Sequence, residues 1–217
     1  MTEPNQPADT RAVILEKARE LFLALGYHKT TMRSIAEAAG ISTGPLYFYF
    51  RNKTEVFFHI CDESFDYLIA ALHRAAGENG RAGLRLRAVY YAYKDFYYHE
   101  PQRFEIMHLA INPMSEIDLP PALAARLNEK SKTLVAIMEE VIRTGITRQE
   151  LRPVDPCKLA LYLYSVAEGI FLSSRTGMLH SCQVKLDEMI DTAIELIGIG
   201  MIELNSCPAK SGEIHPE

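Results

Sequence analysis

Apolar side chains recur along most of this chain at the three- and four-residue spacing of amphipathic helices. The alternation of apolar and polar positions that predicts strands is nearly absent. In the first periodic segment the apolar residues share one helical face, and Gly26 is suited to end the helix in the left-handed conformation. Those residues are Ile14, Ala18, Leu21, Phe22 and Leu25. The pattern predicts an all-α protein of about nine helices.

Capping residues and prolines predict where the helices begin. Ser42 or Thr43 can cap a short third helix, and Pro45 then falls in its first turn, where a missing N–H costs little. Asn52 followed by Glu55 is the pattern of a capping box at the start of a long fourth helix. The helices are predicted at residues 10–25, 31–40, 43–49, 53–76, 84–99, 101–111, 121–144, 156–176 and 184–204.

The second and third predicted helices have the spacing of a helix-turn-helix. Gly40 supplies the turn, Ile41 fills the space between the helices, and Leu46 anchors the third helix in the core. Tyr47 and Phe48 lie on a different side of that helix from Leu46, so their rings are expected to face outward, towards DNA. The alternative is an ordinary helical hairpin in which the aromatic residues form a core.

Composition and charge are those of an ordinary folded chain. Its 217 residues are 48% hydrophobic and 24% charged, enough to bury a sizeable core. The formal net charge of -5 is unfavourable for binding phosphates. Residues 1–55, however, carry seven basic and six acidic side chains, so the acidity lies in the rest of the chain. This balance permits phosphate contact without demonstrating it.

Other kinds of chemistry have no anchor in the sequence. The four cysteines lie far apart without a C-x-x-C pair, which indicates reduced thiols rather than a zinc site or disulfide framework. The seven histidines lack metal-binding spacings, and there is no nucleophile elbow or phosphate-binding glycine loop. No signal peptide or membrane span is predicted. We therefore expect a cytoplasmic protein that is not an enzyme and needs no metal or cofactor.

The segment around the helix-turn-helix resembles the TetR-type (TetR/AcrR) transcriptional regulators. Their pattern is close to T-T-x-x-x-I-A-x-x-A-G-[VI]-S-x-G-x-[LI]-Y-x-[HY]-F-x-x-K-x-x-[LV]. The matching residues are Thr30, Thr31, Ile35, Ala36, Ala39, Gly40, Ile41, Ser42, Gly44, Leu46, Tyr47, Tyr49, Phe50, Lys53 and Val56. The resemblance covers about residues 10–57. Beyond them only the general plan is similar, a helical ligand-binding and dimerisation domain.

The resemblance implies a repressor that binds a palindromic DNA operator as a homodimer and is released by a small effector. It implies phosphate contacts from Thr31, Tyr47 and Lys53. Tyr49 belongs to the same DNA-binding surface. The residues implied near base edges are Arg33, Ser42, Thr43, Gly44, Pro45 and Phe48. Thr43 stands where many relatives carry lysine, and Phe48 replaces a common polar residue, so we expect weaker phosphate attraction and more apolar readout.

A second aromatic cluster extends from Tyr90 to Phe104. Plain core packing explains most of these rings, while some of them are candidates to line an effector pocket. The candidate pocket residues are Phe96, Phe104, Met107, His108, Tyr164, Glu168 and Phe171. The supply of methionine, phenylalanine and tyrosine suggests a mostly apolar or aromatic effector.

The expected domains are a disordered N-terminus at 1–8, a DNA-binding domain at 9–55, an effector-binding and dimerisation domain at 56–204 and a flexible tail at 205–217. The resemblance implies a homodimer formed through helices 156–176 and 184–204. The opposing hypothesis is a helical small-molecule or lipid carrier, or an enzyme, in which the N-terminal hairpin is only structural. Binding to DNA at low salt separates the two.

Overall fold

The computed structural model describes residues 7–111 and 117–202, which form ten helices and no strand. These are α1 (Pro7–Leu25), α2 (Met32–Ala38), α3 (Thr43–Tyr49), α4 (Lys53–Ala76), α5 (Ala82–His99), α6 (Pro101–Ile111), α7 (Pro121–Thr147), α8 (Pro156–Arg175), α9 (Met178–Ser181) and α10 (Leu186–Ile202). The all-α class is confirmed. The extra helix, α9, has only four residues, too few for a periodic pattern to predict it. The predicted tail at 205–217 lies outside the described residues.

Local signals place most helix boundaries within a few residues of the prediction. The Asn52 Oδ1 accepts a hydrogen bond from the Glu55 N–H at 2.8 Å, as the capping box predicts. The Glu55 carboxylate, however, accepts from the Arg51 N–H at 2.6 Å rather than from Asn52. The helix α1 begins earlier than predicted, at Pro7, because a proline in the first turn gives up only an N–H that has no partner within the helix.

The chain packs as two units. The first comprises Met1–Leu72 and Ala92–Leu134, and the second comprises His73–Tyr91 and Val135–Glu217. Helices α4, α5 and α7 therefore contribute residues to both units. The predicted boundary near residue 55 between a DNA-binding domain and an effector domain stays a prediction.

In the first unit, α1 packs against α2 and α6. Ile14, Ala18 and Phe22 are buried on the predicted apolar face of α1. The Phe22 ring packs edge-on against Phe57 of α4, with ring centroids 5.3 Å apart. Leu25 was expected on the same face but is 48% exposed at the last position of the helix. This core supports the helix-turn-helix.

In the second unit, α8 packs against α9 and α10. Leu163 of α8 and Ile190 of α10 are buried there. Gly145 of α7 allows a close approach, because an added Cβ would lie 2.4 Å from the Ala82 Cβ and 2.8 Å from Leu151 Cδ1. No side chain larger than hydrogen fits this position without a shift of the α5 start.

Candidate nucleic-acid interface

The helix-turn-helix begins at a capping box. The Thr31 Oγ1 accepts from the Ser34 N–H at 3.0 Å, and the Ser34 Oγ accepts from the Thr31 N–H at 3.0 Å. Ile35 and Ala36 of α2 are buried, as predicted. Thr31 is exposed, so its hydroxyl lies at the protein surface while it fixes the start of α2.

The turn between α2 and α3 depends on Gly40. Its φ of 69° lies in the left-handed region, which glycine adopts at little cost. The Ile41 N–H donates to the Ala36 carbonyl at 3.0 Å, which closes the turn. Leu46 is fully buried and anchors α3, as predicted. The orientation of α3 is therefore set by buried contacts and not by its own exposed residues.

The helix α3 has one buried and one exposed side. Leu46 and Phe50 are 0% and 1% exposed, whereas Tyr47 and Phe48 are 53% and 85% exposed. The outward direction of Tyr47 and Phe48 and the core position of Phe50 are confirmed. An exposed phenylalanine contributes little burial to the fold, so the two neighbouring rings are best explained by a contact outside the chain.

The other residues expected near base edges lie beside these rings. Those at the start of α3 are all exposed: Ser42, Thr43, Gly44 and Pro45. Ser42 occupies the N-cap position but its side chain makes no capping hydrogen bond. Tyr49 is half-buried, and its ring packs edge-on against Phe48 with centroids 5.5 Å apart. Tyr49 therefore supports Phe48 from the side.

Arg33 projects from α2 into solvent. Its side chain is 83% exposed and pairs with Glu37 at 2.9 Å. An exposed pair of this kind, one helical turn apart, contributes about 0.3–0.5 kcal/mol. The guanidinium can therefore exchange Glu37 for a nucleic-acid partner at little cost.

Lys53 has a structural role that the sequence did not predict. Its Nζ donates to the carbonyls of Tyr27 at 2.7 Å and His28 at 3.3 Å and lies 4.3 Å from the Tyr27 ring centroid. Burial lowers the pKa of this ammonium. Lys53 therefore ties the loop after α1 to the start of α4. An ammonium has three N–H donors, so the predicted phosphate contact would add to this tether.

We expect Lys53→Met to lower the free energy of unfolding by about 1 kcal/mol, because two carbonyls lose a charged donor while the aliphatic stem is retained. Urea denaturation followed by circular dichroism measures the change. Lys29→Met is the matched control, since Lys29 is exposed in the same loop and its side chain makes no hydrogen bond or ion pair with the described residues. Equal stability of the Lys53→Met protein and the wild type would contradict the tether.

The predicted effector-pocket residues of the first unit are mostly core residues. Phe96, Phe104 and Met107 are only 3%, 1% and 1% exposed. The His108 ring stacks on Phe104 with centroids 3.9 Å apart, and its Nδ1 lies 2.8 Å from the Phe104 carbonyl oxygen. Core packing accounts for these contacts, and a role in effector binding stays a prediction.

The remaining pocket candidates belong to the second unit. Phe171 is 2% exposed, while Tyr164 and Glu168 are half-buried. Burial raises the pKa of the Tyr164 hydroxyl. The negative charge of Glu168, which is hydrogen-bonded to this hydroxyl, raises the pKa further. Tyr164 therefore stays neutral and acts as a donor to this carboxylate.

Metal and thiol chemistry have little support in the part of the chain that is described. Residues 7–111 and 117–202 contain no group of three His, Cys, Asp or Glu side chains placed to hold a metal ion. Cys61 is a buried free thiol, and Cys157 and Cys182 are exposed free thiols, while Cys207 lies outside the described residues. None of the described helices is long and apolar enough to cross a membrane.

An outward-facing α3 that follows a tight turn and is anchored by the buried Leu46 defines a helix-turn-helix DNA-binding protein. Residues 14–60 match the family model described as bacterial regulatory proteins, tetR family. The chain is a member of the TetR family of transcriptional regulators, which are not enzymes.

Relatives and solved structures extend the similarity over most of the chain. The HTH-type transcriptional repressor AcnR of Corynebacterium efficiens is 23% identical over 195 residues, which is 88% of this chain and 95% of AcnR. The SmeT–triclosan complex has a TM-score of 0.72 at 22% identity and covers 96% of this chain and 99% of SmeT. AibR in complex with isovaleryl coenzyme A and operator DNA has a TM-score of 0.67 at 21% identity, and the match covers 86% of this chain and 97% of AibR. At these identities the two structures show a shared fold.

Proposed function

We propose that this protein is a repressor that binds a palindromic operator as a homodimer and leaves it when a small effector binds. The observation that carries the proposal is the exposure of Phe48 and Tyr47 on α3, at 85% and 53%. The repressor name of AcnR supports repression, and the complex of AibR with isovaleryl coenzyme A and operator DNA supports binding of both an operator and a small ligand. A repressor of this kind acts on the chromosome, so we also infer a cytoplasmic location.

Two copies of α3 in a dimer would enter successive major grooves about 34–36 Å apart. The hydroxyls of Thr31 and Tyr47 would bind phosphates and set the register. Ser42, Thr43 and Phe48 would meet base edges. Residues 1–55 carry only seven basic side chains against six acidic ones, so we expect few phosphates to be neutralised and a shallow dependence of affinity on salt.

We infer that the dimer forms through the outer faces of α8 and α10. Leu161, Tyr162 and Leu172 of α8 are 53%, 58% and 57% exposed, and Leu196 of α10 is 65% exposed. Exposed apolar residues on two packed helices are typical of a protein interface. Gly169 of α8 is exposed, with no atom within 4 Å of an added Cβ, which supports close approach of a partner helix. The stripe of Ala160, Ala167 and Phe171 is buried in the second unit instead.

Leu172→Glu is expected to separate the dimer into monomers. Two symmetric copies of the change each cost about 2 kcal/mol at an interface, so dimer affinity falls about 1,000-fold. Sedimentation velocity at micromolar concentration measures the result. Leu84→Glu is the control, because Leu84 is also exposed, at 60%, on a helix outside the inferred interface. A wild-type monomer, or a Leu172→Glu dimer, would refute the inferred interface.

The effector is inferred to act by changing the separation of the two α3 helices. The helix α4 contributes to both units, so a change in its position would move the DNA-binding segment. Coupling between two binding sites of this kind is typically about 1–3 kcal/mol, a 5- to 150-fold change in DNA affinity.

The proposed function is tested by fluorescence anisotropy with duplex DNA from upstream of the protein's own coding region. We expect saturable binding at low salt that persists against excess unrelated duplex. A folded dimer that forms no complex with any duplex at low salt would favour the carrier or enzyme hypothesis.

A further inference from the structure

The second unit contains a cleft formed by α5, α8, α10 and the segment after α7. The cleft is open to solvent, and the space free of protein atoms within it, with open solvent included, is about 420 Å³. Its apolar walls are made by Leu86, Leu151, Leu163, Ile194 and Ile197. None of the pocket residues predicted from the sequence lines this cleft. It is therefore a candidate site that residue types alone did not indicate.

Arg87 is the only charged residue among those lining the cleft in the described part of the chain. It is exposed, and its guanidinium carbon lies 5.3 Å from the Tyr91 ring centroid. Tyr91 in turn donates to the Asp191 Oδ1 at 2.9 Å. The described residues place no carboxylate in an ion pair with Arg87, so its charge is free to meet an anion from solvent.

Tyr90 contributes an aromatic wall without an unsatisfied polar group. Its hydroxyl donates to the Leu163 carbonyl at 2.6 Å, and burial raises its pKa. The hydroxyl is therefore neutral and already bonded within the protein. A ligand loses little by placing hydrocarbon against this part of the cleft, since no polar group there needs water.

We propose that the cleft binds an organic acid with an apolar tail, the tail lying between the leucine and isoleucine side chains and the carboxylate against Arg87. A guanidinium donates two parallel hydrogen bonds to a carboxylate, which favours an acid over an alcohol. An ammonium compound with the same tail would be repelled by the same charge. The acid is the effector class of the proposed repressor and in that respect rests on the proposed function.

Two glycines in the lining of the cleft allow a side chain to be added there without disturbing the core. Gly83 and Gly198 line the cleft, and a Cβ added to either would meet no heavy atom within 4 Å. A side chain introduced there would enter the open cleft. Gly198 lies within α10, and leucine has a higher helix propensity than glycine. Gly198→Leu is therefore expected to fold and to fill the site.

Isothermal titration calorimetry of the DNA-free dimer with decanoate, decanol and decyltrimethylammonium tests the ligand class. We expect decanoate to bind most tightly and the ammonium compound least. Each methylene contributes about fourfold in affinity, so octanoate should bind about 15-fold more weakly than decanoate. Arg87→Gln should lower the affinity for decanoate about tenfold and leave the affinity for decanol unchanged. Gly198→Leu should abolish binding of both.

Two control variants separate the site from general effects. Arg81→Gln removes the same charge from an exposed residue that does not line the cleft, and Ala136→Leu adds the same side chain to the exposed surface of α7. Both should bind decanoate as the wild type does. Equal binding of the three probes, or decanoate binding that survives Gly198→Leu, would overturn the proposal.

Anisotropy with operator DNA distinguishes this proposal from the proposed function. Release of the operator by decanoate, lost in Gly198→Leu, supports both. Operator binding by a protein that does not bind decanoate overturns the acid site and leaves the repressor intact. Decanoate binding by a dimer that binds no DNA overturns the repressor and leaves the acid site intact.

Discussion

Replacing Phe48 with alanine is expected to weaken operator binding by about 30-fold without lowering the stability of the protein. The ring is 85% exposed, so its loss leaves no cavity in the core. Contact between an aromatic side chain and a thymine methyl group contributes about 1 kcal/mol in each half-site, and the dimer makes it twice. Fluorescence anisotropy gives the DNA affinity, and urea denaturation gives the free energy of unfolding.

Uracil substitution identifies the group that Phe48 contacts. Uracil lacks the methyl group of thymine but retains its hydrogen-bonding edge. Replacing thymine with uracil at one position of each half-site should therefore weaken DNA binding by the wild type and leave DNA binding by Phe48→Ala unchanged. The combination of the two changes forms a double-mutant cycle that isolates this contact. Tyr98→Ala is a control, since Tyr98 is an exposed aromatic residue, at 46%, outside the helix-turn-helix. Equal DNA affinity of the wild type and Phe48→Ala would contradict apolar readout.

Replacing Asp62 with alanine is expected to lower the free energy of unfolding by about 3 kcal/mol. The Asp62 side chain is only 8% exposed and accepts from Arg126 Nη2 at 2.9 Å. Lys130 Nζ also forms an ion pair with Asp62 Oδ1 at 2.6 Å, although the angles are not those of a hydrogen bond. The same Nζ donates a hydrogen bond to the Asp62 backbone carbonyl at 3.0 Å. Without the carboxylate, the largely buried Lys130 ammonium keeps the backbone carbonyl of residue 62 and, as its remaining carboxylate, the exposed Asp66 at 2.7 Å.

Urea denaturation at fixed protein concentration measures this effect, because dimer formation makes stability depend on concentration. Asp66→Ala is the matched control. It should lower the free energy of unfolding by less than about 1 kcal/mol, since the Asp66 side chain is 63% exposed. Adding Lys130→Met to Asp62→Ala should recover part of the loss, because no buried charge is then left unpaired. An Asp62→Ala protein as stable as the wild type would show that the contacts of Asp62 with Arg126 and Lys130 do not stabilise the packing of α4 against α7.

The helix-turn-helix was predictable because its signals are local. Gly40, Ile41 and Leu46 lie within one turn and one helix, so their spacing alone indicates which face of α3 is buried. The exposure of Tyr47 and Phe48 follows from that spacing. A local pattern of this kind is independent of how the remaining helices pack.

Contacts between distant residues were not predictable from periodicity. Lys53 meets the Tyr27 carbonyl 26 positions away, and Arg126 meets Asp62 64 positions away. Each pair is defined only after the helices pack. The aromatic pocket candidates show the same limit, because residue type does not distinguish Phe104 in a core from Phe104 in a cavity wall. The cleft beside Arg87 depends on the packing of α5, α8 and α10 and has no sequence signature of its own.

Selection of bound duplexes from a random-sequence pool tests most directly whether two exposed α3 helices read neighbouring major grooves. We expect the wild-type dimer to recover an inverted repeat whose half-sites are centred about 10 base pairs apart, with a thymine in each half-site whose preference is lost in Phe48→Ala. Recovery of no common sequence by a folded dimer, or of the same repeat with unchanged affinity by Phe48→Ala, would contradict this use of α3.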